Sequence, residues 1–395
     1  MRNKILSVYK YYVIVIIFLL VSFFKELQAN LSFRHIGLDD MTELEARSHA
    51  MQYYTKFKSR LLLDQEKEMK EQKIKINDLE MKFHMKKNGI KPPDGWDLYF
   101  SLHGGGGTHH SINEDQWVRH QTLYQIKNGI LLTPRSPTNT WNMWHQEHID
   151  IFFDRLIKNM VAFHNVNPNR VYLMGYSAGG DGVYQLSPRM ADRFAAAAMM
   201  AGHPNETIPL GLRNIGFTIH MGAEDSSYNR NKVAQDWRNK LEILNNNDTA
   251  GYQHLVKIYP EKGHWMERED SSAISWMRQF SRDPFPDKIV WKQDDVTKNR
   301  FYWLRVQEPT AGDLIIVSLN GQKVVIEEST SSRISIMFND DMVDMDKDIT
   351  IEYGERVIFN GNVHRNVSVI ERTIEEYGDP KSVYFGEISL ILTVE

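Results

Sequence analysis

The chain has 395 residues, too many for one ordinary core, and its 42% apolar and 25% charged composition is that of a folded protein. A formal net charge of -4, with no basic stripe interleaved with aromatics, argues against a nucleic-acid partner. Cysteine is absent, which excludes disulfides, thiol nucleophiles and thiolate metal sites.

Arg2, Lys4 and Lys10 precede an apolar run from Val13 to Phe24. The run is shorter than the about 20 apolar residues of a membrane span. A basic start, a short apolar core and Ala29 in a small-residue position read as a secretory leader over residues 1–29, giving a secreted or periplasmic protein. The alternative is an uncleaved single-pass anchor lengthened by Tyr11 and Tyr12, and only then is a membrane a partner. The sequons at Asn30, Asn205, Asn247 and Asn366 matter only in a eukaryotic secretory host.

Residues 30–75 form an N-terminal extension, rich in Glu, Lys, Arg, Gln and Met from Asp39 to Lys73. Glu66 and Lys70 stand four apart in the favourable order, which predicts a solvated helix. At Leu79 the period changes, as Leu79, Met81, Phe83 and Met85 alternate with polar residues in a strand pattern. Asn88-Gly89 and Pro92-Pro93-Asp94-Gly95 supply turn chemistry before a second strand at Trp96–Leu102, so a hairpin is expected there.

Strand and helix patterns then alternate through a domain placed at residues 76–283. Strands are expected at Ile130–Thr133, Arg170–Met174, Phe194–Ala201, Gly216–Met221 and His254–Tyr259. Helices are expected at Ile149–Phe163, Lys232–Leu244 and Ser271–Phe280. This alternation predicts an α/β fold, a mostly parallel sheet with helices on both faces.

Past Pro284-Phe285-Pro286 the pattern becomes all strand, over residues 287–395. Short runs at Phe301–Val306, Leu314–Leu319, Lys323–Ile326, Ile334–Phe338, Ile349–Tyr353 and Val357–Phe359 predict a C-terminal all-β sandwich. Asn320-Gly321 and Asn360-Gly361 are read as hairpin turns. Trp291 and Trp303 read as core residues.

Gly175-Tyr176-Ser177-Ala178-Gly179 follows the strand ending at Met174 and precedes a helix. A sharp turn between strand and helix presents a serine hydroxyl at the sheet edge, with glycines removing clashes around it. His103-Gly104-Gly105-Gly106-Gly107 also ends a strand, and glycine lets backbone N–H groups approach a substrate closely. The expected oxyanion donors are Ala178 N–H and an N–H from Gly104 or Gly105.

A serine nucleophile needs a base and an acid. His264 follows the strand ending at Tyr259, and Asp225 follows the strand ending at Met221. Ser177, Asp225 and His264 are therefore the expected catalytic residues. Glu224 rivals Asp225, and His203 rivals His264. His220 and His254 lie inside strands and read as wall or core. Asp181 follows Ser177 too closely to be the acid.

The substrate pocket is expected to draw on His103, Tyr176, Trp141, Trp144 and Trp265. Trp141 and Trp144 either wall the acyl pocket or pack on the core. His145, His148 and Asp150 have metal-like helical spacing, but a polar helix start is the preferred reading, so no metal and no cofactor are expected. His109 and His110 read as exposed.

Residues from about Leu98 to Met266 resemble the α/β-hydrolase superfamily, in the branch of polyhydroxybutyrate depolymerases and feruloyl esterases. The matching residues are His103-Gly104-Gly105-Gly106, Gly175 to Gly180, Asp225 and His264-Trp265. The resemblance implies ester hydrolysis through an acyl-enzyme, on a small-molecule or polymeric ester. The serine-rich linker of many secreted depolymerases is absent. A peptidase on the same fold and a non-catalytic glycan- or polymer-binding protein are the alternative readings.

Overall fold

A computed structural model describes residues 41–392, so the expected leader and Asn30 lie outside the described residues. Helices α1 (Glu43–Asp64) and α2 (Glu66–Glu71) open the described chain. Between residues 43 and 71 the extension is helical, but it is not simply solvated. Ala46, Ala50 and Phe57 are buried, and α1 packs on a C-terminal helix at Val367–Tyr377. Tyr53 donates to Glu375 at 2.9 Å, and His49 meets Glu371 at 3.0 Å.

Next come β1 (Lys73–Ile76), β2 (Leu79–Asn88), β3 (Trp96–Leu102), α3 (His110–Leu123), β4 (Gly129–Pro134), α4 (Glu147–His164), β5 (Val166–Tyr176) and α5 (Ala178–Arg189). They are followed by β6 (Ala196–Met200), β7 (Gly216–Gly222), α6 (Arg230–Asn247), β8 (His254–Tyr259) and α7 (Ser272–Met277). The eight strands form one sheet in the order β1-β2-β4-β3-β5-β6-β7-β8. From β4 to β8 every neighbouring pair is parallel. Strands β3, β4, β6 and β7 are buried at every residue, as expected for a parallel sheet covered on both faces.

The hairpin expected between β2 and β3 does not form. β4 lies between them, antiparallel to β2 (Met85 opposite Leu132) and parallel to β3 (Leu98 opposite Ile130). The fully buried β3 takes parallel neighbours on both edges, and the turn residues at 92–95 serve a crossing connection instead.

The remainder comprises β9 (Lys288–Lys292), β10 (Arg300–Phe301), β11 (Leu304–Val306), β12 (Leu314–Asn320), β13 (Lys323–Ser329), β14 (Arg333–Phe338), β15 (Ile349–Tyr353), β16 (Arg356–Gly361), α8 (Val367–Tyr377) and β17 (Gly386–Ile391). They make a four-stranded sheet β10-β11-β14-β17 and a five-stranded sheet β16-β15-β13-β12-β9. Trp291 on β9 stacks on Phe301 of β10 at 5.6 Å, joining the two sheets. The region is not all-β. Helix α8 interrupts it, and β13 runs parallel to β15.

The Asn320-Gly321 turn is present, with Asn320 opposite Lys323. Asn360-Gly361 is not a turn. Asn360 pairs with Thr350, and the β15–β16 hairpin turns between Tyr353 and Arg356, where Gly354 has a φ of 59°. The single strand expected at Phe301–Val306 is split by Tyr302, whose φ of 51° reverses the chain.

Buried polar contacts join this region to the large sheet. Arg282 pairs with Asp379, both almost fully buried. Asp154 on α4 meets Arg193 and Arg300, each at 2.9 Å. Tyr302 donates to the Ala191 carbonyl at 2.9 Å.

Candidate active site

Ser177 sits between β5 and α5 with φ 58° and ψ -124°, a conformation that non-glycine residues rarely adopt. A Cβ on Gly175 would collide with the Gly179 carbonyl, and one on Gly179 with the Leu102 carbonyl. Only glycine at both positions lets the chain turn this sharply against β3. The Ser177 N–H donates to the Met200 carbonyl at 2.9 Å, anchoring the turn to β6.

His264 brings Nε2 to 3.0 Å from Ser177 Oγ. Its Nδ1 stands 2.7 Å from Asp225 Oδ2. Asp225 is 3% exposed. Its loop is held by Asn231, whose N–H donates to the Asp225 carbonyl and whose amide donates to the Ala223 carbonyl. Arg230 Nη1 lies 3.7 Å from Asp225 Oδ1. The three side chains thus form a continuous hydrogen-bonded chain from three different strand ends, β5, β7 and β8.

The rivals lie elsewhere in the bonding. His203 Nδ1 accepts from Asn205 N–H at 2.9 Å. Asp181 Oδ1 accepts from His203 N–H at 2.6 Å, and burial raises its carboxyl to about 6. His220 is buried between Thr218 and Tyr259.

The glycine loop passes beside the serine. A Cβ on Gly104 would lie 3.2 Å from Ser177 Cβ. Gly105 has a φ of 105°, and a Cβ there would strike Asn113 Oδ1. That same Asn113 oxygen accepts from Gly106 N–H at 2.8 Å, so Asn113 pins the loop to α3. Sequence reading missed Asn113, because its only sequence signal is a polar residue in the first turn of a helix. Ala178 opens α5, where the first N–H groups lack intrahelical partners.

Gly104, Gly105, Ser177, His264, Tyr176, Trp265, Ile112, Gln116, Arg119, His120 and Leu123 line one cavity of about 420 Å³. Tyr176 and Trp265 of the expected pocket residues are thus present. His103 and Trp144 are not, because both are fully buried. His103 is a brace: its Nδ1 donates to the Gly104 carbonyl at 2.7 Å and its Nε2 accepts from Ser136 N–H at 3.1 Å. Burial holds this imidazole well below its ordinary pKa, hence neutral. Trp144 Nε1 donates to the His103 carbonyl at 3.0 Å. Trp141 is 62% exposed and lies against Gly107, outside the cavity lining.

Asp150 is occupied by Arg189 at 2.7 Å and Lys298 at 2.8 Å, so the metal-like spacing at 145–150 serves an ion-pair cluster. Among the described residues, carboxylate oxygens of Glu206, Asp294 and Asp295 lie within 4.8 Å of one another. Arg189 and Lys292 line the same recess as Glu206 and Asp294.

Residues 123–293 match the dienelactone hydrolase family. No curated protein matches the chain. Solved structures with a similar arrangement include a thermostable esterase, at 20% identity and TM-score 0.41, over 53% of this chain and 62% of its own. The LpqC poly(3-hydroxybutyrate) depolymerase from Bordetella parapertussis matches at 15% identity and TM-score 0.39, over 53% of this chain and 90% of its own. A ferulic acid esterase matches at 15% identity and TM-score 0.37, over 52% of this chain and 95% of its own.

Proposed function

We propose that the chain is a serine hydrolase of the α/β-hydrolase type that cleaves carboxylic esters through an acyl-enzyme. The observation that carries the proposal is the hydrogen-bonded chain from Asp225 through His264 to Ser177, at 2.7 and 3.0 Å. It is the pattern of an activated nucleophile, with a base in reach of the hydroxyl and a third group orienting the base.

In the proposed reaction His264 Nε2 takes the Ser177 proton as Oγ attacks the ester carbonyl carbon. The tetrahedral oxyanion faces the N–H groups of Ala178 and of Gly104 or Gly105, which lowers the barrier. Asp225 holds the imidazole and stabilises its cation. His264 then returns the proton to the departing alcohol. Water, deprotonated by the same imidazole, attacks the acyl-serine carbonyl carbon; the acyl–Oγ bond breaks, Ser177 Oγ takes the proton back from His264, and the acid is released.

Turnover of p-nitrophenyl acetate, feruloyl esters, hydroxybutyrate oligomers and peptide anilides tests the proposal. Hydrolysis of at least one ester class, lost in His264→Ala, is expected. Turnover of peptide anilides alone would identify a peptidase instead.

Export belongs to the same proposal and is supported by the basic start and the Val13–Phe24 apolar run. Among the described residues, no helix is long and apolar enough to cross a membrane. N-terminal sequencing of the mature protein is expected to begin at Asn30. A retained Met1 would refute cleavage.

A further inference from the structure

Two recesses share Leu123, the last residue of helix α3. Ile112, Gln116, Arg119 and Leu123 follow one another at four- and three-residue steps, so they form one stripe on that helix. All four line the active-site cavity. Leu123 also lines a second recess, of about 400 Å³, with Tyr99, Tyr124, Lys127, Arg268 and Arg278. The stripe from Ile112 to Leu123 runs roughly 16 Å along the helix axis.

The charges in these recesses have one sign. Among the described residues, Arg119 is the only one lining the cavity beside Ser177 with a fixed charge, and its guanidinium lies 4.5 Å from the centre of the Trp265 ring. Lys127, Arg268 and Arg278 bring three more cations to the second recess. Among the described residues neither recess is lined by a carboxylate. Arg278 is matched by Asp97 at 3.2 Å. Arg119, Lys127 and Arg268 have no ion pair among the described residues. Arg268 stands four residues after His264, on the loop that carries the proposed base. The nearby acid Asp270 is fully buried and takes the Tyr124 hydroxyl at 2.5 Å.

We infer that the second recess is a subsite for an anionic group at the far end of an extended ester. The ester carbonyl sits at Ser177, the chain crosses Leu123, and a terminal oxyanion meets Lys127 and Arg268. A guanidinium forks onto carboxylate or phosphate alike, so the shared chemistry is the oxyanion. This inference rests on the serine esterase reading of the same cavity.

The test compares p-nitrophenyl esters of equal acyl length ending in a methyl, a carboxylate or a phosphate, over short and long chains, at low and high salt. For the long chains, kcat/KM of the anionic esters is expected to exceed that of the neutral ones by about tenfold or more at low salt, and the ratio to fall as salt screens the cations. A larger ratio for the carboxylate or for the phosphate identifies which oxyanion the subsite takes. The ratio is expected to collapse in Lys127→Gln/Arg268→Gln. Both side chains are exposed, so the fold survives the change. Equal kcat/KM for charged and neutral esters at every length would overturn the inference, as would a ratio unchanged in the double variant. A fluorophosphonate probe run on the same wild-type sample separates the two levels. Labelled Ser177 with no anion preference overturns the subsite alone, and no labelling overturns the nucleophile and the subsite with it.

Discussion

Tyr176 donates its hydroxyl hydrogen to the main-chain carbonyl of His264 at 2.5 Å, while the Met266 N–H donates to the same hydroxyl at 3.0 Å. The residue before the proposed nucleophile therefore tethers the loop that carries the proposed base. Tyr176→Phe removes both bonds and keeps the ring. It is expected to lower kcat on p-nitrophenyl acetate roughly tenfold to a hundredfold, in line with the cost of a small misplacement of a catalytic group. Fluorophosphonate labelling should slow in parallel. Unchanged kcat would show that the loop is held without this tether.

The proposed oxyanion loop should be equally sensitive. Gly105→Ala adds a Cβ that collides with Asn113 and forces alanine to a φ of 105°. Loss of one oxyanion donor costs about a hundred- to a thousandfold in kcat, and steady-state kinetics is expected to show a loss of that size. Asn113→Ala frees Gly106 N–H and should give a smaller loss of the same kind. Wild-type kcat in Gly105→Ala would remove this loop from the mechanism.

Acid should weaken the fold in a way traceable to buried histidines. His120 bonds Ser101 at 2.9 Å, and His220 lies between Thr218 and Tyr259; burial pushes each down to about 3. Unfolded, each titrates near about 6.5. Their contribution is present above about pH 6.5 and is lost as pH falls through about 3. Asp181 acts oppositely, because its carboxyl is raised to about 6. Its contribution is present below the ordinary aspartate range and is lost as pH rises through about 6. Thermal melts from pH 7 to 3.5 should show a steeper decline in wild type than in His220→Gln, by a few kcal/mol in total. Parallel curves would contradict the assignment.

Much of the proposed site is legible in the sequence for a physical reason. Ser177, Asp225 and His264 each follow a strand end, and strand ends of a parallel sheet converge on one edge. The glycines are legible because a side chain there collides with backbone. The supporting contacts are not legible. Asn113 pinning Gly106 and Tyr176 holding His264 depend on distances across the fold, and His103 stands beside the glycine loop in sequence yet lies buried beneath it. The fold shows the same division. The strands of the large sheet follow from apolar runs, whereas the insertion of β4 between β2 and β3 is a long-range pairing that local turn signals do not encode. Helix α8 was missed although Val369, Ile370, Thr373, Ile374 and Tyr377 keep helical spacing, because its β-branched residues also suit strands.

The C-terminal sheets are expected to unfold together with the large sheet, because a buried ion pair links the two regions. Arg282 and Asp379 are each nearly fully buried where they pair. Arg282→Met leaves the Asp379 carboxylate without its cation, and breaking a buried pair in this way costs about 3–5 kcal/mol. Denaturant unfolding should show a drop of that order with a single transition. Two separate transitions, or no change, would show that the sheets fold independently.

Covalent labelling of intact protein by a fluorophosphonate, read by mass spectrometry, tests the role of Ser177 most directly. One adduct per chain on Ser177 is expected in wild type, none in Ser177→Ala, and far slower labelling in His264→Ala, with ester turnover falling by up to a millionfold in either variant. An adduct that persists in Ser177→Ala, or wild-type turnover in that variant, would contradict the assignment.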